Sequence, residues 1–224
     1  MTKKHSAWKV CCSKYEHLNL VCWLCSLIDY YTVLLSTERH SEIWKEVGGI
    51  RLLQKHRRIL SSPSEWLDDD LIAAAQHLLK QRHPAVEGLQ PPAQVALTGT
   101  MQHSTAPLLQ ILHVDSNHWV VVSTLQSAPG SVSVYDSLSS NRLSPATQEA
   151  VARLLQRQGQ EVSICCQDVQ QQSGGDDCGL FAIAFSASLC AGEDPTKQHY
   201  QQERMREHLK NCLENEETAT FPLN

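Results

Sequence analysis

One run constrains this chain more than any other: "GLFAIAFSASLC", residues 179–190, is apolar on every face and follows directly on the loop "QQQSGGDDC". A helix with no polar stripe is stable in water only where the rest of the protein surrounds it. The run is therefore expected to be a helix inside the protein, with Cys178 at its first turn. A cysteine in that position sits where aligned peptide dipoles favour the thiolate and lower the thiol pKa. Gly174 and Gly175 allow the preceding loop a tight path, and Gly179 is expected to leave room beside the sulfur for a substrate backbone. Taken alone, the residue also fits a small buried hydrophobe, so its neighbours must decide.

The surrounding pattern is that of an α+β domain. "DDDLIAAAQHLLKQRHP" places Leu71, Ile72, Ala75, Leu78 and Leu79 on one helical face, with acidic residues in the first turn, basic ones in the last and Pro84 as a stop. Three β-rich runs follow, "PLLQILHV", "HWVVVSTL" and "SVSVYDSL", the last two separated by the turn "QSAPG" and expected to form a hairpin. "SPATQEAVARLLQRQG" reads as a helix capped by Ser144, with Pro145 at its first position, Val151, Leu154 and Leu155 as its apolar stripe and Gly159 at its end. "EVSICCQDV" is one more short strand, and an amphipathic helix from about Lys197 to Glu214 closes the pattern. The Ser and Pro of "SSPS" suggest a boundary, dividing the chain into an N-terminal extension, residues 1–62, and a catalytic-sized domain, residues 63–224.

A thiolate nucleophile needs an imidazole to carry the proton and a third group to fix that imidazole's tautomer. His118 opens one strand and Asp136 ends the next, so antiparallel pairing brings them close. Read singly, they are a strand-end residue and a turn former; at matching ends of one hairpin they make a His–carboxylate pair. Acyl transfer also needs donors aimed at the developing oxyanion. Gln172, six residues before Cys178, can supply a side-chain NH2 beside the backbone N–H of Cys178, although Gln170 and Gln171 make a plain solvated Gln a fair reading too.

The order "HW", "YDS", "QxxxxDCG" resembles the ubiquitin-like-protease family of papain-like cysteine proteases, the SUMO (sentrin)-specific proteases. The resemblance spans about Trp66 to Leu213 and implies a papain-like α+β fold, with a central mixed or antiparallel sheet flanked by helices and the nucleophile at the N-terminus of a buried helix. It implies a triad of Cys178, His118 and Asp136, with Gln172 as oxyanion residue. "WLDDDLI" is similar to the family's Trp-Leu-Asn-Asp motif: Trp66 and Trp119 would wall a narrow tunnel for a Gly-Gly tail, and Asp69 would meet the ubiquitin-like partner. The chain departs from the pattern at Gly174, where the family usually has Asn, at Asp68, which replaces the Asn of the first motif, and in a short Trp66-to-His118 segment. The activity implied is cleavage after Gly-Gly of a ubiquitin-like modifier, in deconjugation or processing. An acyltransferase using the same triad and a non-catalytic modifier-binding module are the alternatives.

Other signals carry less. A net charge of −5 argues against nucleic acid as partner. The apolar stretch Leu18–Leu35 carries Asn19, Asp29, Tyr30 and Tyr31 and reads as a packing helix, not a stable membrane insertion. Nine cysteines and no charged-then-apolar opening argue for reduced thiols, hence an intracellular protein of nucleus and/or cytoplasm. Cys11, Cys12, Cys22 and Cys25, with His17 between them, do not form a paired knuckle, and His113, Asp115 and His118 lack a fourth ligand. No cofactor is expected. "KHRR" at 55–58 is as common on helix ends as in nuclear signals.

Overall fold

The computed structural model describes residues 42–98, 107–115, 117–138, 143–155 and 162–224. The cysteines at 11, 12, 22 and 25, the apolar stretch 18–35 and the Gly159 helix end lie outside them. Among the described residues no helix is long and apolar enough to cross a membrane.

Five strands form a mixed sheet in the order β3 (Glu87–Gly88), β4 (Leu108–Val114), β5 (His118–Ser123), β6 (Ser131–Tyr135), β7 (Ser163–Gln167). β4, β5 and β6 are antiparallel neighbours, while β3 and β7 join the two edges in parallel. The expected β5–β6 hairpin is present. Because side chains alternate across a strand, the sheet buries both faces. Leu109, Ile111, Trp119, Val121 and Tyr135 join one apolar cluster, and Leu112, Val114, Val120, Val122, Val132 and Val134 join the other.

The first cluster surrounds the all-apolar helix, here α5 (Cys178–Cys190), whose residues from Cys178 to Leu189 are all buried. Around it lie α2 (Asp69–Arg82) and α6 (Gln202–Asn215), which contribute Leu71, Leu78, Met205 and Leu209. The opposite face is covered by α4 (Pro145–Leu155) through Val151 and Leu154, with Val95 of α3 (Pro92–Thr98) at its margin. Ser144 caps α4 as its sequence suggests: its Oγ accepts from Thr147 N–H at 3.0 Å and donates to Asp115 Oδ2 at 2.7 Å.

Two boundaries differ from the sequence expectation. The compact unit begins at Ile43, so the Ser-Pro break, a loop from residue 62, lies inside it and is not its edge. Before that loop come a hairpin, β1 (Ile43–Val47) and β2 (Ile50–Leu53), and the helix α1 (Gln54–Ser61), whose Val47, Leu52 and Leu60 belong to the main core. The turn residues Gly48 and Gly49 both have positive φ, as a two-residue hairpin of this hand requires. The closing helix starts at Gln202, not near Lys197. Pro195–Lys197 forms a single 3-10 turn, and the chain then extends so that Tyr200 bridges to Leu223 and its hydroxyl lies 2.9 Å from Ser188 Oγ.

A buried amide knot sets α2 against the sheet. Gln110 Nε2 donates to Gln76 Oε1 at 3.0 Å and to the Gln90 carbonyl at 3.0 Å, while Gln76 Oε1 also accepts from Ile111 N–H at 3.0 Å. Every polar atom named has a partner, which is the condition for tolerating amides in a core. Close packing at the sheet edge depends on Gly88. Its φ is +86°, and a Cβ there would stand 2.1 Å from the Leu109 backbone oxygen, which cannot move without breaking the β3–β4 pairing. Gly88→Ala is expected to destabilise the fold by about 2 kcal/mol or more, seen as a lowered urea midpoint with an unchanged slope.

Candidate active site

His118 and Asp136 are placed by the β5–β6 register. Val121 pairs with Tyr135 and Val122 with Val134. Continuing that register sets Asp136 across from Val120, a diagonal neighbour of His118 on the same face. The side chains meet: His118 Nε2 lies 2.7 Å from Asp136 Oδ1. Both are mostly buried, and Asp136 Oδ1 also accepts from Leu138 N–H at 2.8 Å, which keeps the carboxylate facing the ring.

Burial alone pushes the His118 pKa down, but the hydrogen-bonded Asp136 carboxylate, with a further contribution from the Cys178 sulfur, outweighs it and raises the pKa from 6.5 to about 9. Cys178 is thus near enough to favour the charged ring, while the buried Nδ1 makes no hydrogen bond of ordinary geometry. The sign of the linkage follows. A folded-state pKa above the unfolded one contributes stability that is fully present below pH 6.5 and is lost as pH rises through about 9.

Cys178 opens α5 and is 2% exposed. The loop before it turns at Gly174, φ +81°, and is held from three sides. Gln172, 9% exposed, accepts from Ser137 Oγ through Oε1 at 2.7 Å and donates from Nε2 to the Gly174 carbonyl at 3.1 Å. Its backbone N–H donates to the Ser137 carbonyl at 2.9 Å. Since an amide nitrogen has two hydrogens, one remains for another acceptor. From α6, Gln202 and Arg206 grip Asp177, and Gln202 also bonds both backbone groups of Ser173.

The two tryptophans differ in exposure. Trp119 is buried, its Nε1 donating to the Leu67 carbonyl at 3.1 Å and its ring stacked on His113 with centroids 4.4 Å apart. Trp66 is 48% exposed, and its Nε1 donates to the Gly175 carbonyl at 3.2 Å. Together with Asp69, His113 and Asn117 they line an open groove of about 480 Å³. The three residues singled out for substrate thus share one surface, tied to the loop before Cys178 through Gly175.

Gly179 does something other than expected. A Cβ there would meet Leu67 Cβ at 3.0 Å, and Ile72 Cδ1 and Trp119 Cδ1 at 3.3 Å. The missing side chain makes room for the α2 entrance and the Trp119 ring, not for a substrate backbone. Cys165 and Cys166 are exposed on β7.

One group among the described residues has metal-like spacing: His56, Asp68 and Asp70. His56 Nδ1 accepts from Leu53 N–H at 2.7 Å, so the neutral ring carries its hydrogen on Nε2, which faces Asp68 at 3.0 Å and Asp70 at 3.4 Å. A ring so fixed has no lone pair for an ion; it tethers α1 to the start of α2. Asp68 caps α2 by accepting from Leu71 N–H at 3.2 Å and pairs with Lys55 at 3.1 Å. Although burial opposes it, the contacts with His56 and Lys55 hold its carboxyl below the usual range. Much of the "KHRR" cluster is therefore engaged in structure, with Arg57 Nε lying 3.6 Å from Glu214 Oε1.

The family model of the Ulp1 protease family, C-terminal catalytic domain, matches residues 106–217. The chain belongs to the Ulp1 protease family. As a Ulp1-family domain it is a cysteine peptidase, and its α+β fold is that of the family's catalytic domain. The C-terminal Ulp1 protease domain solved in complex with Smt3, the yeast ortholog of SUMO, superposes with a TM-score of 0.61 at 16% identity, covering 80% of this chain and 89% of that one. The Ulp1-like SUMO protease catalytic domain of Chaetomium thermophilum gives 0.55 at 19% identity, covering 84% and 89%. Ulp1 with its catalytic cysteine oxidised to a sulfenic acid gives 0.59 at 16%, covering 83% and 92%. No curated protein sequence matches the chain significantly.

Sequence reasoning missed Ser137, Gln202 and Arg206, which touch the loop before Cys178 rather than carry a motif. The "YDS" string contained Ser137, but only the fold reveals its partner. Removing its hydroxyl strands a buried amide oxygen. Ser137→Ala is expected to cost about 1–3 kcal/mol, read as a lower urea midpoint, with Ser137→Thr recovering part of the loss.

Proposed function

We propose that the protein is a thiol isopeptidase that cleaves after the Gly-Gly end of a ubiquitin-like modifier of the SUMO type, in deconjugation or precursor processing. The observation that carries this reading is the 2.7 Å His118–Asp136 bond on a hairpin whose imidazole is also under the influence of Cys178. A charged ring between a carboxylate and a thiol is poised for proton transfer in thiol chemistry. The groove bordered by Trp66 and Trp119, tied to the Cys178 loop by the Trp66–Gly175 bond, supports an extended tail lying across it, and glycine offers such a tail backbone without bulk. The yeast Ulp1 domain was solved with Smt3, which supports a modifier of that class as the partner.

In this mechanism the Cys178 sulfur attacks the carbonyl carbon of the terminal glycine. The resulting oxyanion is held by the Cys178 backbone N–H and the second Gln172 amide hydrogen. As the tetrahedral adduct collapses, the carbon–nitrogen bond breaks and His118 gives its proton to the departing amine. Water, deprotonated by His118, then hydrolyses the thioester and restores the thiol. Asp136 keeps the ring oriented throughout and stabilises its charged form whenever it holds the proton, and Asp69 on the groove's exposed rim contacts the modifier body.

Two measurements test the reading. An electrophilic probe built on a Gly-Gly-ended SUMO is expected to add its mass at Cys178, with no adduct in Cys178→Ala, and His118→Ala is expected to slow labelling about 10²–10⁴-fold. Labelling that survives Cys178→Ala, or acetyl transfer from acetyl-CoA in place of probe capture, would count against it. The pH profile gives the second. Because the His118 pKa is raised to about 9, kcat/KM is expected to fall only as pH passes about 9, and in Asp136→Asn that alkaline limb moves toward 6.5, the ordinary value for His.

A further inference from the structure

Asp177 stands at the N-cap of α5, where aspartate is among the best residues for accepting the first-turn N–H groups of a helix. It does not do so. Its side chain makes no cap bond; instead Oδ1 accepts from Arg206 Nη2 at 2.6 Å and Nε at 3.1 Å, and Oδ2 accepts from Gln202 Nε2 at 2.6 Å. Both members of the ion pair are buried, each 9% exposed. Arg206 also reaches backbone: Nη1 donates to the Ile59 carbonyl at 2.9 Å and Nη2 to the Glu65 carbonyl at 2.7 Å, the latter one residue before Trp66.

The placement matters because of what lies next to Asp177. Cys178 follows it directly, and the N-terminus of α5 is the positive end of the helix dipole. A carboxylate turned onto that end would consume first-turn donors and set a negative charge beside the sulfur and the oxyanion position. Charges of like sign that close disfavour one another strongly. A buried ion pair adds little net stability in general, so a fold that keeps one here is served by where the pair puts the charge.

We propose that Arg206 is a positioning residue of the peptidase: it draws the Asp177 carboxylate away from the head of α5, so that the helix N-terminus acts on Cys178 and the oxyanion instead of on a neighbouring anion. Gln202, one turn earlier on α6, completes the clamp. The inference rests on the reading of Cys178 as the nucleophile.

The test is iodoacetamide alkylation of the full chain at neutral pH, read peptide by peptide by mass, with exposed Cys165 as internal reference. In Arg206→Gln the released carboxylate is expected to slow alkylation at Cys178 relative to Cys165 by about tenfold. In the double variant Arg206→Gln with Asp177→Ala, which has no carboxylate to release, the rate is expected to recover most of that loss. If Arg206 merely tied the loop together, the double variant would be as slow as Arg206→Gln or slower, and that result overturns the proposal. Arg206→Lys keeps a cation opposite Asp177 while giving up the forked bonds to Ile59 and Glu65, so it decides the matter even if Arg206→Gln does not fold. Near wild-type alkylation at Cys178 with a lowered Tm supports diversion of charge, and slowing as large as tenfold overturns it. A wild-type Cys178 that the Gly-Gly-ended probe leaves unlabelled overturns the nucleophile reading and this inference together; a probe-labelled Cys178 whose alkylation Arg206→Gln leaves unslowed overturns this inference alone.

Discussion

A helix with no polar face has to be enclosed, and α5 is enclosed on all sides. From Cys178 to Leu189 its residues are buried among the inner face of the sheet, α2 and α6. That single demand fixes much of the architecture: the sheet offers one apolar face to α5 and a second to α4, and α5 is flanked by α2 from far back in the chain and by α6, the next α-helix. It also fixes the chemistry. The N-terminus of this helix carries a cysteine, a partial positive charge and first-turn N–H donors in one place.

The site is built by bringing short-range and long-range elements to that terminus. His118 and Asp136 come from one hairpin and need only its register. Gln172 is local to Cys178 but is fixed by Ser137, one residue beyond Asp136, so Asp136 and Gln172 are set by the same turn. Asp177 is held from α6, and Trp66 reaches across to Gly175. The groove, the imidazole and the loop are thus coupled by hydrogen bonds between segments that lie far apart in sequence.

This division explains what the sequence discloses. The hairpin partners, the buried helix, the capped helix α4 and the start of α2 are legible because each follows from local periodicity, turn residues or caps. Trp66, Asp69 and Trp119 were suggested by resemblance to a family, and the fold sets all three on one groove. Arg206, Gln202 and Ser137 were not legible, since an Arg on an amphipathic helix looks the same whether it faces water or a buried carboxylate. The extended approach to α6 was missed for a related reason: Tyr200 is drawn inward by Ser188 and Leu223, and tertiary contacts override local helical preference. Gly179 is the opposite case, a residue visible in the motif whose use, contact with Leu67 and Trp119, depends on elements more than fifty residues away.

The grip of Arg206 on Asp177, Ile59 and Glu65 has a consequence for the order of assembly. A ribosome delivers the N-terminal side first, so Ile59, Glu65 and Asp177 all emerge before the helix that ties them together. Until α6 is released and docks, the carboxylate beside Cys178 is without its brace. The pairing of His118 with Asp136 needs only one hairpin, whereas the bracing of Asp177 waits for a segment translated after it.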